Sequence, residues 1–298
     1  LALLNTAGCA TTARRTRRLA LTFDDAPLPD GPLFTGEERA RRIVAELRRA
    51  GVREAAFFAN PGRPEPDLQQ RLRVYAGAGH VLANHTSTHP DLRNVSAEAY
   101  LADIAAADRV LRPMPGFRPW FRFPYLSEGE TVEKRDAVRR GLTAMGYEQG
   151  YVTADSYDWR LDQLARDAKA ASRPLNLDAL RDLYVQTALE GADYFDRMAV
   201  AVLGRSPRHV LLLHENDLAA LFVADLVDAL RRDGWTIITA SEAFSDPIAS
   251  ELPDTLALGE GRIAAIVNAA QARERFREQR PSYNALDQPF TERVTGVR

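Results

Sequence analysis

Cysteine is almost absent: the 298 residues hold one, Cys9. That excludes an intramolecular disulfide and any Cys-rich zinc site, so the fold has to hold by its core alone. Net charge is close to nil as well, with 39 basic against 41 acidic side chains and a formal value of −2. No long-range field then draws the chain to nucleic acid or to an anionic membrane surface, and neither is an expected partner. No apolar run reaches the length of a membrane span. Lysine occurs only at Lys134 and Lys169, and the arginines that stand in for it are scattered without forming a patch. Histidine is sparse too, with five in the chain, so each position is informative.

What is present is the composition of an ordinary globular protein, 45% apolar and 27% charged. The length suits one or two domains, and α/β barrels commonly fill it as one. The first ten residues, Leu1 to Ala10 (LALLNTAGCA), read as the tail of an apolar segment running into small residues. We expect residues 1–15 to be the remnant of an export signal and the protein to be periplasmic or extracellular. Thr6-Ala7-Gly8-Cys9 also resembles a lipoprotein cleavage box, with Thr6 where leucine is usual, which makes Cys9 a candidate lipid anchor.

Short β-rich runs alternate with helical patterns from residue 16 to 247. Seven strands are expected: Leu19–Phe23, Ala55–Ala59, His80–Asn84, Trp120–Phe123, Gly150–Ala154, His209–His214 and Trp235–Thr239. Most are apolar throughout, as strands buried on both faces of a parallel sheet are. Thr35-Gly36-Glu37-Glu38 has the spacing to cap a helix that presents Ile43, Val44 and Leu47 on one face and stops at Gly51. Ser96 can cap a second, with Leu101, Ile104, Ala105 and Leu111 as its stripe, and a third runs over Leu218–Arg232 to a stop at Gly234. The pattern predicts an α/β fold, either an incomplete (β/α) barrel or an open doubly wound sheet. Residues 160–205 read as a helical insertion, in which Tyr184, Leu189, Tyr194 and Phe195 are packing residues. The insertion leaves after Asp158-Trp159 and returns towards His214, so it is expected beside the mouth of the site. Residues 248–298 read as a helical extension, with a helix near Glu260–Phe276, and a polar tail.

The unusual polar residues gather where the expected strands end. Asp24-Asp25 follows the first strand, His85 and His89 the third, Arg122 and Tyr125 the fourth, Asp155 and Asp158 the fifth, and His214 closes the sixth. In parallel α/β architectures these ends share one face, where active sites are built. His85 and His89 stand four residues apart, and Pro90 behind them favours a loop or a single turn over a long helix. A carboxylate and two neutral imidazoles make the facial ligand set of a divalent catalytic metal, and the second aspartate is then available as a base. His80 and His209 sit at the other ends of their strands and read as structural.

Five motifs resemble those of the polysaccharide deacetylases, carbohydrate esterase family 4 with the NodB-homology domain. They are Thr22-Phe23-Asp24-Asp25-Ala26-Pro27, the run from Gly79 to Pro90 (GHVLANHTSTHP), Phe117-Arg118-Pro119 with Arg122-Phe123-Pro124-Tyr125, Asp155-Ser156-Tyr157-Asp158-Trp159, and Leu211-Leu212-Leu213-His214. Ala26 stands where the family usually has glycine, and Phe123 where it has proline.

The resemblance implies a single distorted, incomplete (β/α) barrel of about seven parallel strands, one divalent metal ion, and hydrolysis of N-acetyl groups from amino sugars of a cell-wall or extracellular polysaccharide. Carried over by position, it makes Asp25, His85 and His89 the metal ligands and Asp24 the general base. Arg122 would hold Asp24, and the backbone N–H of Tyr125 would face the developing oxyanion. His214 would protonate the leaving amine, oriented by Asp158. Trp159 and Leu212 or Leu213 would wall the acetyl methyl group. The donor set suits Zn2+ first and also Co2+, Ni2+ or Mn2+. Two rivals stay open: the same fold acting on a small molecule or lipid-linked amino sugar, and a glycan-binding barrel without activity. An N-acetylated glycan is the expected partner.

Overall fold

The computed structural model describes residues 16–62, 68–256 and 259–296, so the export signal expected over 1–15 and the anchor at Cys9 lie outside the described residues. Eight strands are described: β1 (Arg17–Ala26), β2 (Ala56–Ala59), β3 (Val81–Asn84), β4 (Phe117–Phe121), β5 (Glu148–Gln149), β6 (Ala154–Asp155), β7 (Arg208–His214) and β8 (Trp235–Ile237). The helices are α1 (Gly36–Arg49), α2 (Leu68–Gly77), α3 (Ala97–Leu111), α4 (Val132–Ala144), α5 (Asp158–Ala170), α6 (Leu177–Leu203), α7 (Asp217–Arg232), α8 (Ala240–Phe244), α9 (Gly261–Ala269) and α10 (Asp287–Phe290).

Every pairing is parallel, in the order β5-β4-β3-β2-β1-β7-β6, with β8 off this path against β1. β1 is central. One of its edges takes β7 from Arg18 to Asp24, while the other is shared by β8 at Arg17–Leu19 and β2 from Thr22 onward. The two outermost strands, β5 and β6, are consecutive in the chain, with only residues 150–153 between them. Such a link reaches at most about 18 Å, so the sheet has to curl until its edges face each other. The result is an incomplete (β/α) barrel with seven parallel strands along its path.

The link itself departs from the expected strand Gly150–Ala154. Its backbone groups are satisfied outside any one ladder: Gly150 N–H donates to Phe121 O (2.7 Å), Gly150 O accepts from Arg122 Nε (2.7 Å), Val152 O accepts from Arg262 N–H (2.7 Å) and Thr153 N–H donates to Val210 O (3.0 Å). With these groups paired to partners around the end of β4, on α9 and on β7, no continuous strand is required. The last strand also stops early, at Ile237, because Thr239 caps α8 with a full capping box.

Local chemistry explains the helices. Thr35 accepts the N–H of Glu38 (3.2 Å) to open α1, whose Ile43, Val44 and Leu47 are buried, and Gly51 follows at φ 64°. Ser96 caps α3, and Asn216 caps α7, which ends before Gly234. The buried stripe of α3 is Tyr100, Ile104, Ala107 and Leu111; Leu101 and Ala105 are only half-buried. Tyr100 displaces them because its ring packs against Phe121 and Phe123 in a second apolar cluster under α3 and α4.

Residues 160–205 fold as α5 and α6, and α6 packs deep against the sheet. Leu180, Leu183, Tyr184, Ala188, Ala192, Phe195 and Ala199 are buried in the main core. α6 is the crossover of the last strand–helix–strand unit before β7, so the helices expected over 160–205 are present and the second of them is also part of the core. Gly191 shows how close it lies: a Cβ there would come within 2.4 Å of the Asp155 carbonyl oxygen. The extension folds back on the barrel. Its helix ends at Ala269, short of the expected Phe276, where Gln271 turns left-handed at φ 51°.

Candidate active site

β1 places its aspartates by alternation. Phe23 enters the core, while Thr22 and Asp24 face Arg122 inside the curl. Asp25, just beyond, adopts a left-handed conformation at φ 66° and turns to the histidines. The two carboxylates share His85, whose Nε2 lies 3.6 Å from Asp24 Oδ2, but their other neighbours differ. Asp24 Oδ1 accepts from Arg122 Nη1 at 2.5 Å, and the same nitrogen donates to Thr22 Oγ1 at 2.9 Å. Asp25 Oδ1 lies 3.2 Å from His89 Nε2 and 3.8 Å from His85 Nε2.

Arg122 is wholly buried and acts as a hub. Besides Asp24 and Thr22 it donates to Gly150 O, and its guanidinium lies 3.7 Å over the Phe58 ring. Its backbone carbonyl accepts from His85 Nδ1 at 2.8 Å. A carbonyl can only accept, so the proton sits on Nδ1 and Nε2 keeps its lone pair. Burial lowers the His85 pKa to about 4, which keeps the ring neutral.

His85 to His89 form a loop, held by Thr86 N–H to Asn84 Oδ1, His89 N–H to Thr86 Oγ1, and the N–H groups of Ser87 and Thr88 to Asp103 Oδ2. Thr86 and His89 have positive φ, as do Tyr125, Leu126 and Tyr157. With Asp25, six of the eight such non-glycine residues among those described thus lie in the segments that carry the site. Such backbone costs of order 1–3 kcal/mol per residue and persists where the surroundings over-determine it. Asp25, His85 and His89 bring one ligand atom each to within 4.8 Å of one another, and no other described group of this kind does so. One carboxylate oxygen and imidazole nitrogens at this spacing fit a divalent cation.

On the opposite side of the mouth, α5 begins with Asp158, which is buried. Its Oδ1 meets His214 Nδ1 at 2.8 Å, and its Oδ2 accepts the N–H of His214 (2.8 Å) and Asn216 Nδ2 (3.0 Å). Burial works against a charged imidazole, but the Asp158 carboxylate overrides it and holds the His214 pKa up to about 10. Burial raises the Asp24 pKa, against the pull of Arg122 and His214.

The remaining expected residues divide. Tyr125 is half-exposed and packs its ring on His89 at 4.6 Å. Trp159 is half-buried against Tyr283 of the extension. Leu212 lies on the same face of β7 as His214, whereas Leu213 packs into the main core, so only Leu212 can line the site. Phe123 fills the second apolar cluster. His80 accepts the Ala55 N–H, and His209 is buried between Thr153 and Asp196, both away from the mouth.

Two supports escaped the sequence reading. One is Asp103 under the histidine loop. The other is a buried network in which Glu215 accepts from Leu28 N–H (2.7 Å), Tyr75 OH (2.6 Å) and Arg39 Nε (3.3 Å), while Arg39 Nη1 donates to Asp217 (3.0 Å). It ties the loop after Asp25 to the loop after His214. No motif marks either.

A family model described as "Polysaccharide deacetylase" matches residues 11–149. The chain is 31% identical over 192 residues to a chitooligosaccharide deacetylase of Sinorhizobium fredii, covering 62% of this chain and 81% of that protein. It is 26% identical over 239 residues to a chitin deacetylase of Colletotrichum lindemuthianum, covering 76% and 79%. Among solved structures, a family 4 carbohydrate esterase from Streptomyces lividans in complex with acetate superposes with a TM-score of 0.51 at 20% identity, over 77% of this chain and 97% of that one.

Proposed function

The chain belongs to the polysaccharide deacetylase family, and from that premise we propose that it hydrolyses N-acetyl groups from amino sugars of a cell-wall or extracellular glycan with the help of one divalent metal ion. The observation that carries this reading is the pairing of unlike sites across one mouth: a ligand set of Asp25, His85 and His89 on one side, and His214 bound through Nδ1 to the buried Asp158 carboxylate on the other.

Asp25, His85 and His89 would hold the cation, with zinc as first candidate, and a cation there would supply Lewis acidity to water and to the acetamide carbonyl. Asp24 takes the proton of the attacking water. Its raised pKa makes it a stronger acceptor than an exposed carboxylate, and Arg122 fixes its direction by a charge-assisted bond. The backbone N–H of Tyr125 meets the charge that develops on the carbonyl oxygen. As the C–N bond breaks, His214 delivers the proton from Nε2 to the departing amine, and Asp158 keeps the ring oriented through Nδ1. Leu212, on the face of β7 that carries His214, receives the methyl group.

Acetate release from chitin oligosaccharides and from peptidoglycan, with zinc added to chelator-treated protein, tests the reading. Metal-dependent release supports it. Glycan binding with no release under any metal overturns it in favour of a barrel that only binds.

A further inference from the structure

We propose that Tyr283, carried by the C-terminal extension, is a specificity-determining residue that forms with Trp159 an aromatic corner for a sugar ring beside the unit being deacetylated. The inference rests on the glycan deacetylase reading and concerns residues outside the matched family model, which ends at 149.

Exposed large apolar side chains are individually ordinary, but their placement here is not. Among the described residues five are exposed, and two of these are aromatic: Tyr125 at 55% and Tyr283 at 39%. Both lie against residues of the site. Tyr125 packs on His89, a member of the ligand set, and Tyr283 packs on Trp159, with ring centroids 4.9 Å apart and planes tilted by 58°. Trp159 follows directly on Asp158, the partner of His214, so the corner stands at the proton-donating side of the mouth.

Tyr283 is also fixed before any ligand arrives. Its own turn, Tyr283–Leu286, is capped by Ser282. On one side of that turn, Arg280 lays its guanidinium 3.6 Å over the Tyr157 ring and lies 3.8 Å from the Asp155 carboxylate. On the other, Asp287 accepts from Arg160 Nε at 3.0 Å and from Nη2 at 2.7 and 2.6 Å. A ring held this way loses little freedom when it takes up a ligand. A pyranose presents an apolar C–H face rimmed by hydroxyls, and two tilted rings with a phenol at the edge match both features.

The test uses the full-length metal-loaded protein and a chitin-oligosaccharide series from monomer to pentamer. Tyr283→Ala is expected to raise KM roughly three- to ten-fold for the longer members, the range an aromatic contact supports, while kcat and the values for the shortest substrate stay put. Tyr283→Phe should keep most of the affinity. An unchanged KM at every length overturns the proposal, and so does an equal change at every length, which would mark a merely structural role. Quenching of Trp159 fluorescence by the same oligomers gives a readout independent of hydrolysis, since Trp120 and Trp235 are buried. Length-dependent quenching that Tyr283→Ala abolishes supports the corner even if no acetate is released, a result that would sink the deacetylase reading alone. Normal hydrolysis with quenching unaffected by the substitution sinks the corner alone.

Discussion

Both oxygens of Asp158 are committed to His214: Oδ1 meets the ring at Nδ1 and Oδ2 accepts the backbone N–H, each at 2.8 Å. One carboxylate thereby sets the position, the tautomer and the charge of the imidazole. Asp158→Asn should leave the position nearly intact and change the charge. In the parent protein His214 sheds its proton only as pH rises through about 10. Without the carboxylate, burial acts with less opposition and lowers the pKa, so the protonated acid is lost at a lower pH. The alkaline limb of kcat should move to lower pH. A limb that stays in place would show that another group donates the proton.

The two adjacent aspartates should separate by metal content. Asp25→Asn is expected to lose much of its metal, since an amide oxygen ligates less well than a carboxylate. Asp24→Asn should retain it while acetate release falls by about 10²–10⁴, the usual worth of a positioned proton acceptor. Metal analysis and acetate assays on both variants decide the matter, and the reverse pattern would exchange their roles.

Gly150→Ala tests the hub around Arg122 without touching a charged group. The added Cβ would fall 2.3 Å from the Phe58 ring, over which the guanidinium lies. The ring and guanidinium must shift together, at a cost of about 1–3 kcal/mol by the usual penalty of overpacking. Urea unfolding should show the loss of stability, and activity should fall further than the lost stability explains.

Arg39→Ala should destabilise by roughly 3–5 kcal/mol, because Glu215 and Asp217 would stay buried without their shared cation. The residue touches neither ligand set nor His214. The expected signature is therefore a lower urea midpoint with little change in kcat for molecules that remain folded.

Much of this site could be read from the chain because strand-end chemistry is local: the residues that end β1, β3 and β7 are those their motifs single out. The choice between Leu212 and Leu213 was also within reach. Counting back two from His214 along a strand lands on the same face, which selects Leu212. Other features had no such signature. Glu215 and Arg39 are far apart in sequence, and each alone reads as a surface charge. The strand expected over Gly150–Ala154 failed because its apolar pattern records burial and not the partners of its backbone. That α6 belongs to the core is masked in the sequence, where the charges of 160–205 are more conspicuous than the stripe that is buried. Tyr283 lies in a stretch whose polar composition suggests only a tail.

The short link between β5 and β6 has a final consequence. The arginine that fastens this seam, by donating to Gly150, is the same one that aims Asp24. A barrel that has come ajar is therefore also an idle one, with its base unlatched while most helices remain in place. Turnover should then fade in mild denaturant before the helical signal does, and hydrolysis belongs only to chains whose sheet has finished closing.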